Sequence, residues 1–534
     1  MAASPSCGPA SGLSVALALL SWLGAAPALH AEEAPMSAID WLSHSVVTGA
    51  AYRPQPDASR AVLPAVPGEA PVARGAGVGD VSVFSLDAPS PDAIGLLPPA
   101  RTGLPAGLWG TTPAGVLAEA LRRDRPEALP ALQALLQKLL LAELRAPVLS
   151  GPEEAGRLFL ARIDKLLDLG ALEPALAMLA EARSAEPEIF RRSFDAALLI
   201  GEEDRACEVM AKTPLVAPSL PARVFCLARG GDWEAAALLF GTGRVLQPLE
   251  PEMDALLERF LNPELDEGED LPPPSRPSPL VFRLTEAVGQ PLPTTDLPLA
   301  FAQADLRSNT GWKARLEAGE RLARAGVLDA NQMLGLYTEN GAGPSGGLWD
   351  RVRAMSALDR AMRARDAKAV AKALPEAWAQ MQAAELEPVL GALWGADLAG
   401  LDLPPETRAL AFRIGLLSPD YETVAQAHAP ADGDARLLVG LARGETAGIA
   451  AQDQLGLVLK RVFDRMPEAP PEPYRDLLPD QLGLALLRAI DDVTEGAKGD
   501  YPRLEAGLAL LRLAGLEGVA RRTALELLVL ERRG

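Results

Sequence analysis

Three stretches decide the fold: LLDLGALEPALAML (166–179), ALLIGEEDRACEVM (197–210) and CLARGGDWEAAALL (226–239). Each has a glycine after an apolar run and an alanine five residues later: Gly170 with Ala175, Gly201 with Ala206, and Gly230 with Ala235. Glycine ends a helix at low conformational cost, and a small alanine lets a neighbouring helix approach closely. The glycines are 31 and 29 residues apart, which predicts a repeat of two short helices.

Periodic leucines extend this pattern through most of the chain. The spacing of one helix face is followed by Leu132, Leu135, Leu136, Leu139 and Leu140. The pattern of an apolar run followed by a glycine occurs again near residues 326 and 515. We therefore predict an all-α protein, an irregular α-solenoid of helical hairpins. The architecture resembles tetratricopeptide-like solenoids, although their diagnostic Trp-Leu-Gly-Tyr pattern is absent.

Proline and glycine divide the chain into segments. We predict a signal peptide at 1–31, a Pro/Gly-rich extended segment at 32–110, a first helical array at 111–261, a Pro-rich acidic linker at 262–300 and a second array at 301–534. Residues 80–110 carry many large apolar side chains, which favours a strap that packs on the helical body. The alternative is a peptide that docks into a partner.

The N-terminus has the pattern of an export signal. An apolar run from Leu13 to Leu23 is followed by small residues, with cleavage expected after Ala28 or Ala31. This run is too short to span a bilayer, and no later segment has the length of a membrane span, so we expect a periplasmic protein without stable membrane insertion. The alternative is a retained N-terminal helix, because no Lys or Arg precedes the run.

Cysteine number is informative once export is assumed. Removal of Cys7 with the signal peptide leaves two cysteines, Cys207 and Cys226, in an oxidising compartment. They lie in consecutive helices of a predicted antiparallel hairpin, on either side of the turn at 214–221. We predict a disulfide between them. Two unpaired, buried thiols are the alternative.

Charge and residue types exclude several functions. The chain has 71 acidic and 51 basic residues, and its net charge of −20 argues against nucleic acid and anionic membranes as partners. The three histidines (His30, His44 and His428) and the cysteines lack metal-ligand spacing, so we expect no metal and no cofactor. Ser43 and Ser45 flank His44, but sequence neighbours point in different directions, which indicates a polar patch.

The acidic residues after the repeat glycines have a structural interpretation. Glu202, Glu203 and Asp204 follow Gly201, and Asp232 and Glu234 follow Gly230. Negative charge in the first turn of a helix is stabilised by the helix dipole. Capping therefore explains these residues better than acid–base catalysis.

Five tryptophans lie in predicted helical segments. We expect them to pack in the core or as wedges between helices: Trp233, Trp312, Trp349, Trp378 and Trp394. The alternative is an aromatic-lined ligand groove.

Three further stretches carry a family resemblance: DAPSPDAIGLLPP (87–99), FDAALLIGEEDRAC (194–207) and FCLARGGDWEAAAL (225–238). Through them the chain resembles a set of exported α-proteobacterial proteins, some of which are labelled "antifreeze glycopeptide polyprotein". The label reflects alanine and proline content, since no Ala-Ala-Thr repeat occurs. The resemblance implies envelope localisation and a helical body, and it implies no activity.

These observations favour a non-catalytic periplasmic scaffold that binds one or more envelope proteins. Two alternatives remain: an envelope enzyme acting on glycans, and a carrier of a small ligand on a helical scaffold.

Overall fold

A computed structural model describes residues 90–530 except 124, 126–127, 184–185, 247–248, 263–269, 345 and 431. Within these residues it contains 24 α-helices and two isolated β-bridges, with no strand, which confirms the predicted all-α fold. The predicted signal peptide, the segment 32–89 and the residues Cys7, His30, Ser43, His44 and Ser45 lie outside the described residues.

The helices are short and follow one another closely. Helices α1–α6 span Pro99–Thr102, Ala114–Arg122, Pro130–Leu141, Arg157–Asp168, Leu172–Glu181 and Pro187–Ile200. Helices α7–α12 span Glu203–Lys212, Leu220–Arg229, Trp233–Leu246, Pro251–Leu261, Pro279–Ala287 and Ala302–Asp305. Helices α13–α18 span Trp312–Arg324, Ala330–Thr338, Gly347–Arg363, Ala367–Gln382, Glu387–Ala399 and Pro405–Gly415. Helices α19–α24 span Tyr421–Ala427, Gly433–Arg443, Gln454–Asp464, Leu482–Ala497, Tyr501–Leu513 and Glu517–Val529.

Nine helix ends in the described chain share one terminating geometry. A residue with positive φ ends the helix, and the next N–H donates to the carbonyl five positions earlier, as in Glu202 N to Ala197 O at 2.8 Å. This bond satisfies a carbonyl that the helix leaves free, and glycine adopts the required φ without a Cβ clash. The nine positions are Gly170, Gly201, Gly231, Gly289, Gly326, Arg365, Glu385, Gly444 and Gly515.

The third repeat differs by one residue from its predicted position. Gly230 has a right-handed φ of −74°, whereas Gly231 has the left-handed φ of 86°. Ala236, five residues after Gly231, is fully buried, while the predicted Ala235 is half-buried. The prediction of Gly230 and Ala235 is therefore wrong. Gly230 and Gly231 are consecutive, and the sequence does not specify which of the two takes the left-handed conformation.

The largest hydrophobic core joins the beginning and the end of the described chain. It contains leucines of α2–α5 together with side chains of α19–α24. Polar contacts reinforce this closure: the Ala131 N–H donates to Glu526 Oε2 at 3.0 Å, and Arg125 Nε lies 2.5 Å from Asp491 Oδ1. The predicted arrays 111–261 and 301–534 therefore share a core. We call this closed part the body.

Residues 90–110, the described part of the predicted strap, lie on the body. Leu104, Leu108 and Trp109 are buried in its core. Backbone bonds fix the strap at both ends, since the Leu97 N–H donates to Leu141 O at 3.0 Å and the Gly483 N–H donates to Leu108 O at 2.9 Å.

A buried arginine anchors the strap to α4. Arg162 is fully buried, and its guanidinium donates to four carbonyls: Leu140 at 2.8 Å, Ala142 at 2.7 Å, Ile94 at 2.7 Å and Asp92 at 3.4 Å. Burial lowers the pKa of Arg162 to about 10, so the side chain stays protonated at neutral pH. The guanidinium therefore satisfies two carbonyls of the strap and two at the C-terminal end of α3.

The predicted linker 262–300 is not irregular throughout. Helix α11 occupies Pro279–Ala287, begins at the capping Ser278 and buries Leu280 and Leu284. Proline is tolerated at the first position of a helix because the missing N–H has no partner there. The prediction of an irregular linker missed this helix because its first residue is a proline in a proline-rich stretch.

Candidate functional site

Exposed apolar side chains concentrate in α7–α10, which we call the arm. Of the eleven large apolar side chains that are exposed in the described residues, six lie between 209 and 246: Val209, Leu215, Trp233, Leu238, Val245 and Leu246. Exposed apolar side chains that concentrate in one region of a folded protein mark interaction sites more often than scattered ones do. The arm is therefore the candidate interaction region.

Helix α9 is the most exposed element of the arm. Of its 14 residues, only Ala236 and Phe240 are buried, and both face the rest of the arm. On the other side lie Leu238, Gly241, Thr242 and Val245, at the spacing of a single helix face. We call these four residues the outer stripe of α9. Leu238 is 69% exposed and Val245 is 79% exposed, so the stripe presents two large apolar side chains to solvent, with Gly241 and Thr242 between them.

Two glycines of α9 have opposite surroundings. A Cβ on Gly243 would lie 2.5 Å from Leu220 Cδ2, so this glycine lets α9 approach α8 closely. A Cβ on Gly241 would have no atom within 4 Å. The small residue in the outer stripe therefore serves no packing within the described arm.

A groove of about 2050 Å³ lies beside α9. Its walls come from α8–α11 and from the turns between them, and many are proline or leucine: Pro214, Pro218, Leu239, Leu249, Pro272 and Pro273. Proline offers no backbone N–H, so the proline positions of this wall cannot donate to the backbone of a bound peptide. At those positions the groove offers side-chain packing.

The predicted cysteine pair joins α7 to α8. Cys207 and Cys226 lie at disulfide distance, with their Cα atoms 5.1 Å apart. This Cα separation falls within the range of protein disulfides. The structure thus brings the predicted pair together at the first hairpin of the arm.

Glu203 lies in the first turn of α7, as predicted, and also forms ion pairs with two other helices. Its side chain is 2% exposed and lies 2.6 Å from Arg283 Nη2 and 3.3 Å from Arg229 Nη2. The sequence places Glu203 in a first turn, but its two partners come from other helices. Asp232 does cap its helix, because its carboxylate accepts from the Ala235 N–H at 3.1 Å.

The five tryptophans that were expected in the core differ in exposure. Trp394 is buried, and Trp312, Trp349 and Trp378 are half-buried. Trp233 is 47% exposed, so it is not a core residue, and of the two predicted roles only the contact between helices remains. Trp233 is the first residue of α9. The centroid of its ring lies 5.6 Å from that of Phe260.

The remaining predicted polar residues give no assembled site. His428 stacks on Phe412 with ring centroids 3.7 Å apart, and partial burial lowers the pKa of His428. In the described part of the chain, no group of three or more His, Cys, Asp or Glu side chains could hold a metal ion. In that same part, every helix is too short or too polar to cross a membrane.

Comparisons with protein families, with curated proteins and with solved structures give no match.

Proposed function

We propose that the protein is a non-catalytic helical-repeat scaffold of the periplasm and that its arm binds an envelope protein. The observation that supports this proposal is the outer stripe of α9, a helix face that the described chain leaves uncovered and that carries the large apolar Leu238 and Val245. These two side chains lie seven residues apart with the small Gly241 and Thr242 between them, a spacing against which a second helix can pack. The proposed occupant is therefore an amphipathic helix of the partner.

The charges around the stripe favour a basic helix. Asp232 and Glu234 are exposed at the start of α9, and Glu250 is exposed after its end. Arg244, the basic residue between them, is already paired with Asp254 at 2.6 Å. The chain as a whole carries a net charge of −20. Lys or Arg beside the apolar face of the partner would therefore be attracted to this surface.

Export is part of the proposal. The apolar run and small residues of 13–31 support cleavage near Glu32, and the cysteine pair suits an oxidising compartment. Mass spectrometry of the protein from fractionated cells should find a mature N-terminus near Glu32 in the periplasm. An intact Met1 on a cytoplasmic protein would contradict export.

Site-specific photocrosslinking tests the surface. A photoreactive residue at Leu238 or Val245 should yield one crosslinked envelope protein, and the crosslinked segment should be a basic amphipathic helix. The same residue at Leu457, which is 47% exposed on α21 of the body, is the matched control and should yield no such product. A lipid crosslinked at Leu238 would instead favour the small-ligand carrier and overturn the proposal.

A synthetic peptide of the crosslinked segment then gives a quantitative test. Leu238→Glu should abolish peptide binding with little loss of stability, because Leu238 is exposed. Leu457→Glu should leave peptide binding unchanged. Equal binding of the peptide by both variants would show that the outer stripe is not the docking surface.

A further inference from the structure

A second cleft, of about 620 Å³, lies on another side of the arm, between α7–α11 and residues 307–309. Part of its lining is aromatic: Trp233 packs on Phe260 with centroids 5.6 Å apart, and Phe260 lies 6.0 Å from Phe225. Trp233 is 47% exposed, so much of its indole is available to a ligand. Five residues separate Trp233 from Leu238, which places the two about 140° apart around α9. The cleft is thus distinct from the outer stripe.

A row of alternating charges runs along the rest of the cleft, and all of its members line the cleft except the buried Glu203. Arg229 bonds Asp204 at 2.7 Å and contacts Glu203 at 3.3 Å, and Glu203 lies 2.6 Å from Arg283. The row continues from Arg283 to Glu286 and from Glu286 to Arg307, the last pair at 2.9 Å.

Three arginines and three carboxylates compensate one another along this row. Each arginine is already bonded to at least one carboxylate, so an anion would have to compete with protein carboxylates for these cations. A purely apolar ligand would cover the charges without replacing their hydration, which is costly. The ligand that suits the cleft is neutral, has an apolar face and carries groups that both donate and accept hydrogen bonds.

We propose that this cleft binds a saccharide. The C–H face of a pyranose ring packs on the indole of Trp233, and its hydroxyls donate to the carboxylates and accept from the arginines. The volume of the cleft lies within the range of roughly 300–1,000 Å³ found for small-molecule sites. Asn309, exposed at the rim, supplies a further amide donor and acceptor.

The arrangement suits binding rather than hydrolysis. A general acid for glycoside cleavage needs a carboxyl whose pKa is raised. The hydrogen bond from Arg229 lowers the pKa of Asp204, which therefore stays ionised. The other two carboxylates are held in ion pairs with arginines as well.

Isothermal titration of the mature protein with chitotriose, cellotriose and maltotriose tests the proposal. At least one trisaccharide should bind saturably, and Trp233→Leu should weaken its binding by about tenfold or more. Asn309→Ala should weaken binding without lowering the midpoint of thermal unfolding, because Asn309 is exposed. Leu238→Glu is the matched control on the same helix and should bind the trisaccharide as the wild type does.

Three results would overturn the saccharide site. One is the absence of saturable binding of all three trisaccharides up to about 10 mM. Another is unchanged affinity in a folded Trp233→Leu variant. The third is displacement of the saccharide by inorganic phosphate at similar concentration, which would identify an anion site. None of these results depends on the helix-docking test, since that test reads a different face of α9.

Discussion

Helix α22 in the body and helix α9 in the arm have similar lengths and opposite environments. Helix α22 has 16 residues and buries ten of them, whereas α9 has 14 residues and buries two. Both sequences are rich in apolar residues. The difference lies in what surrounds each helix. Helix α22 packs on α2, α3 and α23, while α9 packs on α8 and α10 and leaves Leu238 and Val245 of its outer stripe largely exposed.

The two regions are accordingly held together in different ways. Buried leucines stabilise the body, and the buried Arg162 adds hydrogen bonds between α4 and the strap. The arm has a smaller core, and the Cys207–Cys226 pair, at disulfide distance, and the ion pairs around Glu203 join its helices. A region that is held by such contacts can keep apolar residues on its outer face without losing its structure.

The largest effect is expected from removing the buried arginine of the body. Arg162→Met should lower the free energy of unfolding by about 3–5 kcal/mol, because the carbonyls of Leu140, Ala142 and Ile94 would remain buried without their donor. Urea denaturation measures the change. Arg101→Met, at an exposed position of α1, is the control and should change stability by less than about 0.5 kcal/mol. A loss below about 1 kcal/mol at Arg162 would contradict the anchoring role.

Removal of the cysteine pair should act on the arm alone. The double variant Cys207→Ser/Cys226→Ser loses a cross-link between residues 19 positions apart, worth about 3 kcal/mol in the chain-entropy model. Hydrogen exchange should accelerate in α7 and α8 and remain unchanged in α22, because local opening of the arm does not require the body to unfold. Equal acceleration in α22 would show that arm and body unfold as one unit.

The two glycines of α9 separate its inner face from its outer face. Gly243→Ala should destabilise the arm by about 1 kcal/mol, since the new methyl group would displace the Leu220 side chain. Gly241→Ala should stabilise α9 by about 0.5–1 kcal/mol, because alanine favours helix and the position is open. Thermal unfolding followed by circular dichroism at matched concentration measures both. Destabilisation by both variants would mean that the outer face is covered.

Local sequence patterns predicted the features that depend on local physics. The left-handed ends at Gly170 and Gly201 follow from glycine's tolerance of positive φ, and the buried leucines of α3 follow from helical spacing. The closure of the body was not predictable in this way. Ala131 bonds a side chain 395 residues away, and no periodicity within a helix encodes such a pairing.

The candidate sites were harder to predict for the same reason. Glu203 has the local sequence of a capping residue, and its partner Arg283 lies 80 residues later in a proline-rich context. Trp233 has the sequence neighbourhood of a core residue, and its exposure depends on how few elements pack on α9. The exposed face of a helix is set by what the rest of the chain fails to cover, which its own residues do not specify.

The smallest effect is expected at the end of α15, a helix end that uses no glycine. Arg365 is exposed and has a φ of 51°, yet it makes the same junction as the glycines, with the Asp366 N–H donating to Ala361 O at 3.2 Å. Arg365→Gly should therefore stabilise the protein by about 0.5–1 kcal/mol, because glycine adopts this φ without a Cβ penalty. Arg360→Gly, at an exposed position inside α15, is the matched control and should destabilise by about 1 kcal/mol. Urea denaturation should thus show that substitution by glycine raises the free energy of unfolding at position 365 and lowers it at position 360. A loss of stability in both variants would show that the left-handed conformation of Arg365 carries no cost.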